Sequence, residues 1–152
     1  LLMKRGNEAA KALRTAFDIR MEYAHWGLAE SHDSLQQMMN LINMLLLAKD
    51  VDNAKIVLEQ YESLVLKHLS DTSLDYGICK LSKGIIDMME GTPESAEVNL
   101  LAAESIIGNA VGTDNDYMKT TYRHLNNLYV RWKKPEKAIE YRDKFLYNRK
   151  GV

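Results

Sequence analysis

Residues 123–145 read RHLNNLYVRWKKPEKAIEYRDKF, a helical sequence broken by KKP. Proline lacks the N–H donor and its ring clashes with the preceding turn, so Pro135 cannot continue a helix, whereas the first position of a new helix accommodates it. The stretch therefore predicts two helices joined by a very short hinge. The same punctuation recurs upstream: KKPEKA ends on Ala138, GTPESA on Ala96 and KDVDNA on Ala54, at intervals of 42 residues. A further step of 42 reaches Ala12, within NEAAKALRTAFDI. Four positions after these alanines stand Ala16, Leu58, Leu100 and Arg142; seven positions after stand Ile19, Tyr61, Ala103 and Phe145. A small residue ahead of larger ones marks a helix face that another helix approaches closely. The break is a repeating unit.

The other half of each unit precedes its hinge. SLQQMMNLINMLLLAK spaces Leu35, Met38, Met39, Ile42, Leu45 and Leu46 for a helix, and LDYGICKLSKGIIDMME does the same with Ile78, Leu81, Ile85 and Met88. DYMKTTYRHLNNLYVRW carries Tyr117, Tyr122, Leu125, Leu128, Tyr129 and Trp132. Polar joints, GLAESHDS, SDTSLD and GNAVGTDND, separate the units, with Asp33 or Ser34, Ser73, and Asp114 or Asp116 expected as N-caps. The spacing predicts a helix over about 7–25, then pairs over about 34–48 and 52–69, 74–90 and 93–109, and 115–133 and 135–148. Strand signals are absent. The expected architecture is all-α, with seven antiparallel helices: three hairpins preceded by a lone second helix. One such hairpin cannot hide its apolar face, so the hairpins are expected to stack as a single solenoid domain.

Composition narrows the function classes. The chain has 152 residues, and 20 Lys+Arg against 21 Asp+Glu give a net charge of −1, which argues against a phosphate-tracking surface for nucleic acid. The longest apolar run, around Met44–Ala48, is too short to cross a bilayer. A lone cysteine, Cys79, excludes an internal disulfide framework and points to a cytoplasmic, reducing setting. The chain opens on Leu1 without a signal-peptide pattern, which is expected of a piece of a longer polypeptide.

An alanine early in each second helix, an aromatic or small residue seven positions on, and a short hinge that tolerates proline resemble the tetratricopeptide repeat. The period of 42 is longer than that family's usual 34 or so and is similar to the long variety in kinesin light chain and in bacterial regulatory proteins. The resemblance runs from about Asn7 to Phe145. It departs from the pattern in the first helices, where the usual small residue is Ile42, Gly84 and Asn126, and where Lys83 and Asp87 replace apolar neighbours. It implies a right-handed superhelix that holds a peptide or another protein on a concave face built from first helices. Asn43 and Asn127 share one register position, two periods apart, and an asparagine there in long-repeat relatives bonds the ligand's backbone; Ile85 interrupts the ladder. Arg123, Lys80 and Lys83, on the same helices, are candidates to pair with a ligand's acidic groups. An alternative role is a regulatory, ligand-sensing segment of a larger bacterial transcription regulator or signalling protein.

Catalytic and metal chemistry lack an apparatus in the sequence. His25, His32, His68 and His124 are scattered, with no i, i+4 pair, HExxH or CxxC, and no glycine-rich phosphate loop is present. Cys79 is expected to pack as a small apolar residue. The expectation is a non-enzymatic binding module without cofactor, with Ile139, Phe145, Leu146 and Tyr147 leaving enough apolar surface at the last helix for self-association.

Overall fold

The computed structural model describes Glu8, Lys11 and residues 28–147, with side chains from 34 onward in the latter stretch. The helix expected over 7–25, with Ala12, Ala16, Ile19 and His25, lies almost wholly outside the described residues. Within them the chain is all-α: α1 (Leu28–Leu47), α2 (Val51–His68), α3 (Leu74–Glu90), α4 (Pro93–Val111), α5 (Asp116–Arg131) and α6 (Pro135–Tyr147). No residue among those described is in a strand. The chain divides into two compact units, residues 1–67 and 68–152.

In the first unit, α1 begins six residues before the expected cap at Ser34, so GLAESHDS is not a joint. Leu28, Ala29 and Glu30 favour helix, and no glycine or proline between Leu28 and Ser34 stops it. Ser34 is a buried helical residue rather than a cap. Leu35, Met38, Leu41, Ile42 and Leu45 of α1, and Ala54, Val57, Leu58, Tyr61 and Val65 of α2, are buried at helical spacing.

The second unit contains two hairpins, α3–α4 and α5–α6, with α4 also packed on α5. Gly77 and Gly84, seven apart on α3, let α4 come close: a Cβ on Gly84 would stand 2.6 Å from the Leu100 side chain, and one on Gly77 would stand 2.7 Å from Ile107. Ala96 and Ala103 supply the small residues on α4, and both are fully buried. Asp87, unexpected on a core-facing stripe, accepts hydrogen bonds from Ser95 Oγ at 2.8 Å and Asn99 Nδ2 at 2.7 Å, so its charge is held by the facing helix. Asn126 solves the small-residue position differently, donating from Nδ2 to the Ala138 carbonyl at 2.7 Å.

The three hinges share one geometry. Lys49, Gly91 and Lys133, at intervals of 42, have φ of 58°, 77° and 58°. Each following amide reaches back to a carbonyl five residues earlier: Asp50 to Leu45 at 2.8 Å, Thr92 to Asp87 at 3.0 Å and Lys134 to Tyr129 at 2.9 Å. This left-handed closure satisfies helix-end carbonyls and reverses the chain within three residues. Pro93 and Pro135 then start their helices, as expected. At the joints, Ser73 caps α3 by accepting from the Tyr76 amide at 3.2 Å. The α5 cap is Asn115, not Asp114 or Asp116: its Oδ1 accepts from the Met118 amide at 2.9 Å while its Nδ2 donates to the Gly112 carbonyl at 2.8 Å. An amide serves both ends of that turn, and a carboxylate has no proton to donate.

A tyrosine–glutamate lock ties α4 to the following hairpin. Tyr129 Oη donates to Glu97 at 2.7 Å and Tyr141 Oη to Glu104 at 2.9 Å, while Lys137 and Lys144 lie 3.6 and 3.4 Å from the same two carboxylates. Tyr141 stacks on Tyr129 with ring centroids 5.8 Å apart. The Tyr129 bond holds Glu97 below the ordinary carboxylate range, and burial together with the glutamate bonds pushes both tyrosines above theirs. Ile139 and Leu146 occupy the equivalent places on α6, and both are exposed, as is Tyr147; Phe145 is half-buried. Among the described residues no helix is long and apolar enough to cross a membrane.

Candidate partner-binding face

α5 buries Met118, Thr121, Tyr122, Leu125, Leu128 and Tyr129, leaving Tyr117 exposed where the spacing had placed it in the core. Successive helix residues turn by about 100°, so the opposite face carries Arg123, Asn127 and Arg131, each one turn after the last. All three are exposed. Adjacent asparagines thus divide the work: Asn126 is bonded to α6, and Asn127 points away from it. Asn127 has no hydrogen-bond partner among the described residues. Asn43, at the same register position on α1, is likewise exposed and unpartnered among them. Among the described residues neither amide bridges neighbouring helices.

Lys80 and Lys83 are not brought onto this face. In the repeat register they correspond to Tyr122 and Leu125, which are buried, and the positions equivalent to Arg123 and Asn127 are Leu81, also buried, and Ile85. Lys80 is half-buried, with its ammonium 5.2 Å from the Tyr76 ring centroid, and Lys83 is half-buried and engaged. Sequence reading grouped them with Arg123 because they share a type of helix. A single residue of register, however, moves a side chain a quarter-turn or more round it.

At the C-terminal end of the same α5 face lies an open pocket of about 150 Å³, lined by Met88, Gly91, Thr92, Pro93, Leu128, Arg131 and Trp132. It forms where the α3–α4 hinge meets the end of α5, and its lining is predominantly apolar with Arg131 as the charged member. Lys134 lies over the Trp132 ring, 3.5 Å from its centroid. Arg131 and Trp132 are neighbours in sequence, but their partners across the hinge, Met88 and Pro93, could not be found from the chain order.

The electrostatics of α5 are set by its arginines. His124 is half-buried, and burial, with the Arg123 and Arg131 charges nearby, lowers its pKa to about 4. It is neutral near pH 7. Cys79 is buried and outside any disulfide. Among the described residues no group of three His, Cys, Asp or Glu side chains converges as a metal site. Comparison with protein-family models and with characterised proteins gives no match to this sequence.

Proposed function

We propose that this all-α chain is a tetratricopeptide-like, right-handed solenoid that acts as a binding module, holding a peptide or an extended segment of another protein on the α5 face that bears Asn127 and Arg123, with Asn43 offering the same exposed amide on α1 of the first unit. The reading is carried by one observation: Asn43 and Asn127 recur in one register position, both exposed and without partners among the described residues. An amide in that state can donate to and accept from a peptide group at once. The 42-residue recurrence of left-handed hinges at Lys49, Gly91 and Lys133 supports the repeat on which this rests. Lys80 and Lys83 have no part in the face. The exposed Ile139 and Leu146 of α6 support self-association as a secondary property of the same module, checked by sedimentation at increasing concentration.

The test is selection of ligands from a random peptide library, followed by affinity and melting measurements on Asn43→Ala and Asn127→Ala. Each substitution is expected to weaken a selected peptide by about 0.5–1.5 kcal/mol while leaving the melting temperature in place. A lowered melting point with unchanged affinity would overturn the assignment.

A further inference from the structure

We propose that the pocket at the α3–α4 hinge and the two arginines of α5 form one site for an acidic, extended segment of a partner protein, with an apolar side chain seated between Met88, Pro93, Leu128 and Trp132 and carboxylates on Arg131 and Arg123. This deepens the peptide-binding reading and rests on it for the use of the Arg123–Asn127 face.

The pocket fixes the first element. Its volume of about 150 Å³ matches the size of an apolar cavity that holds a benzene-sized group, so one leucine or phenylalanine side chain fills it. Charge fixes the second. Most other described cations of this unit are occupied: Lys137, Arg142 and Lys144 face carboxylates, and Lys80, Lys119 and Lys134 lie over the Tyr76, Phe145 and Trp132 rings, whereas Lys133, in the hinge after α5, does not line the pocket. Arg123 and Arg131 have neither kind of partner among the described residues. Exposed arginines are commonly just solvated. These two differ in sharing one stripe, with Arg131 forming a wall of the apolar pocket. A guanidinium beside apolar surface favours a planar carboxylate over a hydrated point charge.

Spacing fixes the third element. Arg123 and Arg131 are eight residues apart, about 12 Å along a helix axis. An extended chain rises about 3.3 Å per residue and presents alternate side chains to one face, so acids four residues apart meet both arginines. An apolar residue two positions beyond the second acid then reaches the pocket. Asn127 lies between the arginines, where it can bond the intervening backbone. A nucleic-acid strand would also bring anions, but a chain of net charge −1 is poorly suited to one.

Fluorescence anisotropy of a labelled, end-blocked Asp-Ala-Ala-Ala-Asp-Ala-Leu peptide with the full 152-residue chain tests this. Binding is expected, weakened about tenfold by changing either Asp to Asn or Leu to Ala in the peptide, and by Arg131→Gln in the protein. Arg142→Gln, which removes a cation already facing a carboxylate, is expected to leave affinity unchanged. Arg131→Gln with undiminished affinity, or equal binding of the Asn-substituted peptide, would overturn the proposal. Loss of binding in Asn127→Ala but not in Arg131→Gln would leave the peptide face standing and remove the acidic site. Binding of a single-stranded oligonucleotide in place of every peptide would overturn both.

Discussion

Lys49, Gly91 and Lys133 occupy the same left-handed hinge position, yet glycine fills it once. A side chain there suffers a clash between Cβ and the neighbouring carbonyl that glycine avoids, at about 1–2 kcal/mol, partly offset by glycine's greater freedom when unfolded. Lys133→Gly is therefore expected to stabilise the protein by about 0.5–1 kcal/mol, visible as a higher denaturant midpoint with an unchanged slope. An unchanged or lower midpoint would show that the lysine side chain contributes more than its backbone costs. The two adjacent asparagines of α5 give a second residue-scale contrast. Asn126→Ala removes a 2.7 Å bond to the Ala138 carbonyl and is expected to cost about 1–3 kcal/mol in thermal or denaturant unfolding. Asn127→Ala, on the exposed side, is expected to stay within about 0.5 kcal/mol of the parent. The sequence made Asn127 conspicuous through its recurrence and marked Asn126 only as a departure from the small-residue pattern, with no sign of its bond. A bond to a helix that begins nine residues later is visible only when the hairpin is closed.

At the scale of elements, the α3–α4 hairpin is built on close approach and the α5–α6 hairpin on a side-chain bond. Gly84 stands where Leu100 packs onto the α3 backbone, with the Leu100 amide nitrogen only 3.3 Å from any added Cβ. Gly84→Ala would gain helix propensity of about 1 kcal/mol, but the overlap outweighs it, because inserting a methyl into a filled contact typically costs about 1–3 kcal/mol. A net loss of stability in chemical denaturation is the expected result, and a net gain would mean that Leu100 can move aside without penalty. Between elements, the Tyr129–Glu97 and Tyr141–Glu104 bonds supply the polar part of the α4 contact with the next hairpin. The small-residue alanines were legible from spacing, since burial at Ala54, Ala96 and Ala138 follows from the repeat itself. The lock was not, because tyrosine and glutamate lie more than thirty positions apart and have no local signature.

For the molecule as a whole, acid is expected to be destabilising, and His124 gives the window. Its native pKa is about 4 against an ordinary 6.5, chiefly through burial. Between those values the unfolded chain binds a proton that the folded chain refuses, so stability falls as pH drops from about 6.5 towards 4 and is unaffected by this group above it. Glu97, held low by Tyr129, adds a loss in the same direction below the ordinary glutamate range. Melting temperatures at pH 7 and pH 5 should differ in the parent and differ less in His124→Gln. An identical drop in both would assign the acid sensitivity to carboxylates alone.

The sequence by itself determined the helical class, five of the six described helices to within two residues at each end, and the 42-residue recurrence, because periodicity, proline placement and small residues act locally. It misjudged the start of α1, where polar residues suggested a joint and helix propensity carried the chain through it. Only the tertiary structure decided which helix face each polar residue takes. Lys80 and Lys83 were separated from Arg123 because a side chain's direction depends on helix register against the packed neighbour, and their equivalents Tyr122 and Leu125 are core residues. The pocket of Met88, Pro93, Leu128, Arg131 and Trp132 exists only once the α3–α4 hinge lies beside the end of α5. Local preference selects helices; packing selects which of their faces remain exposed.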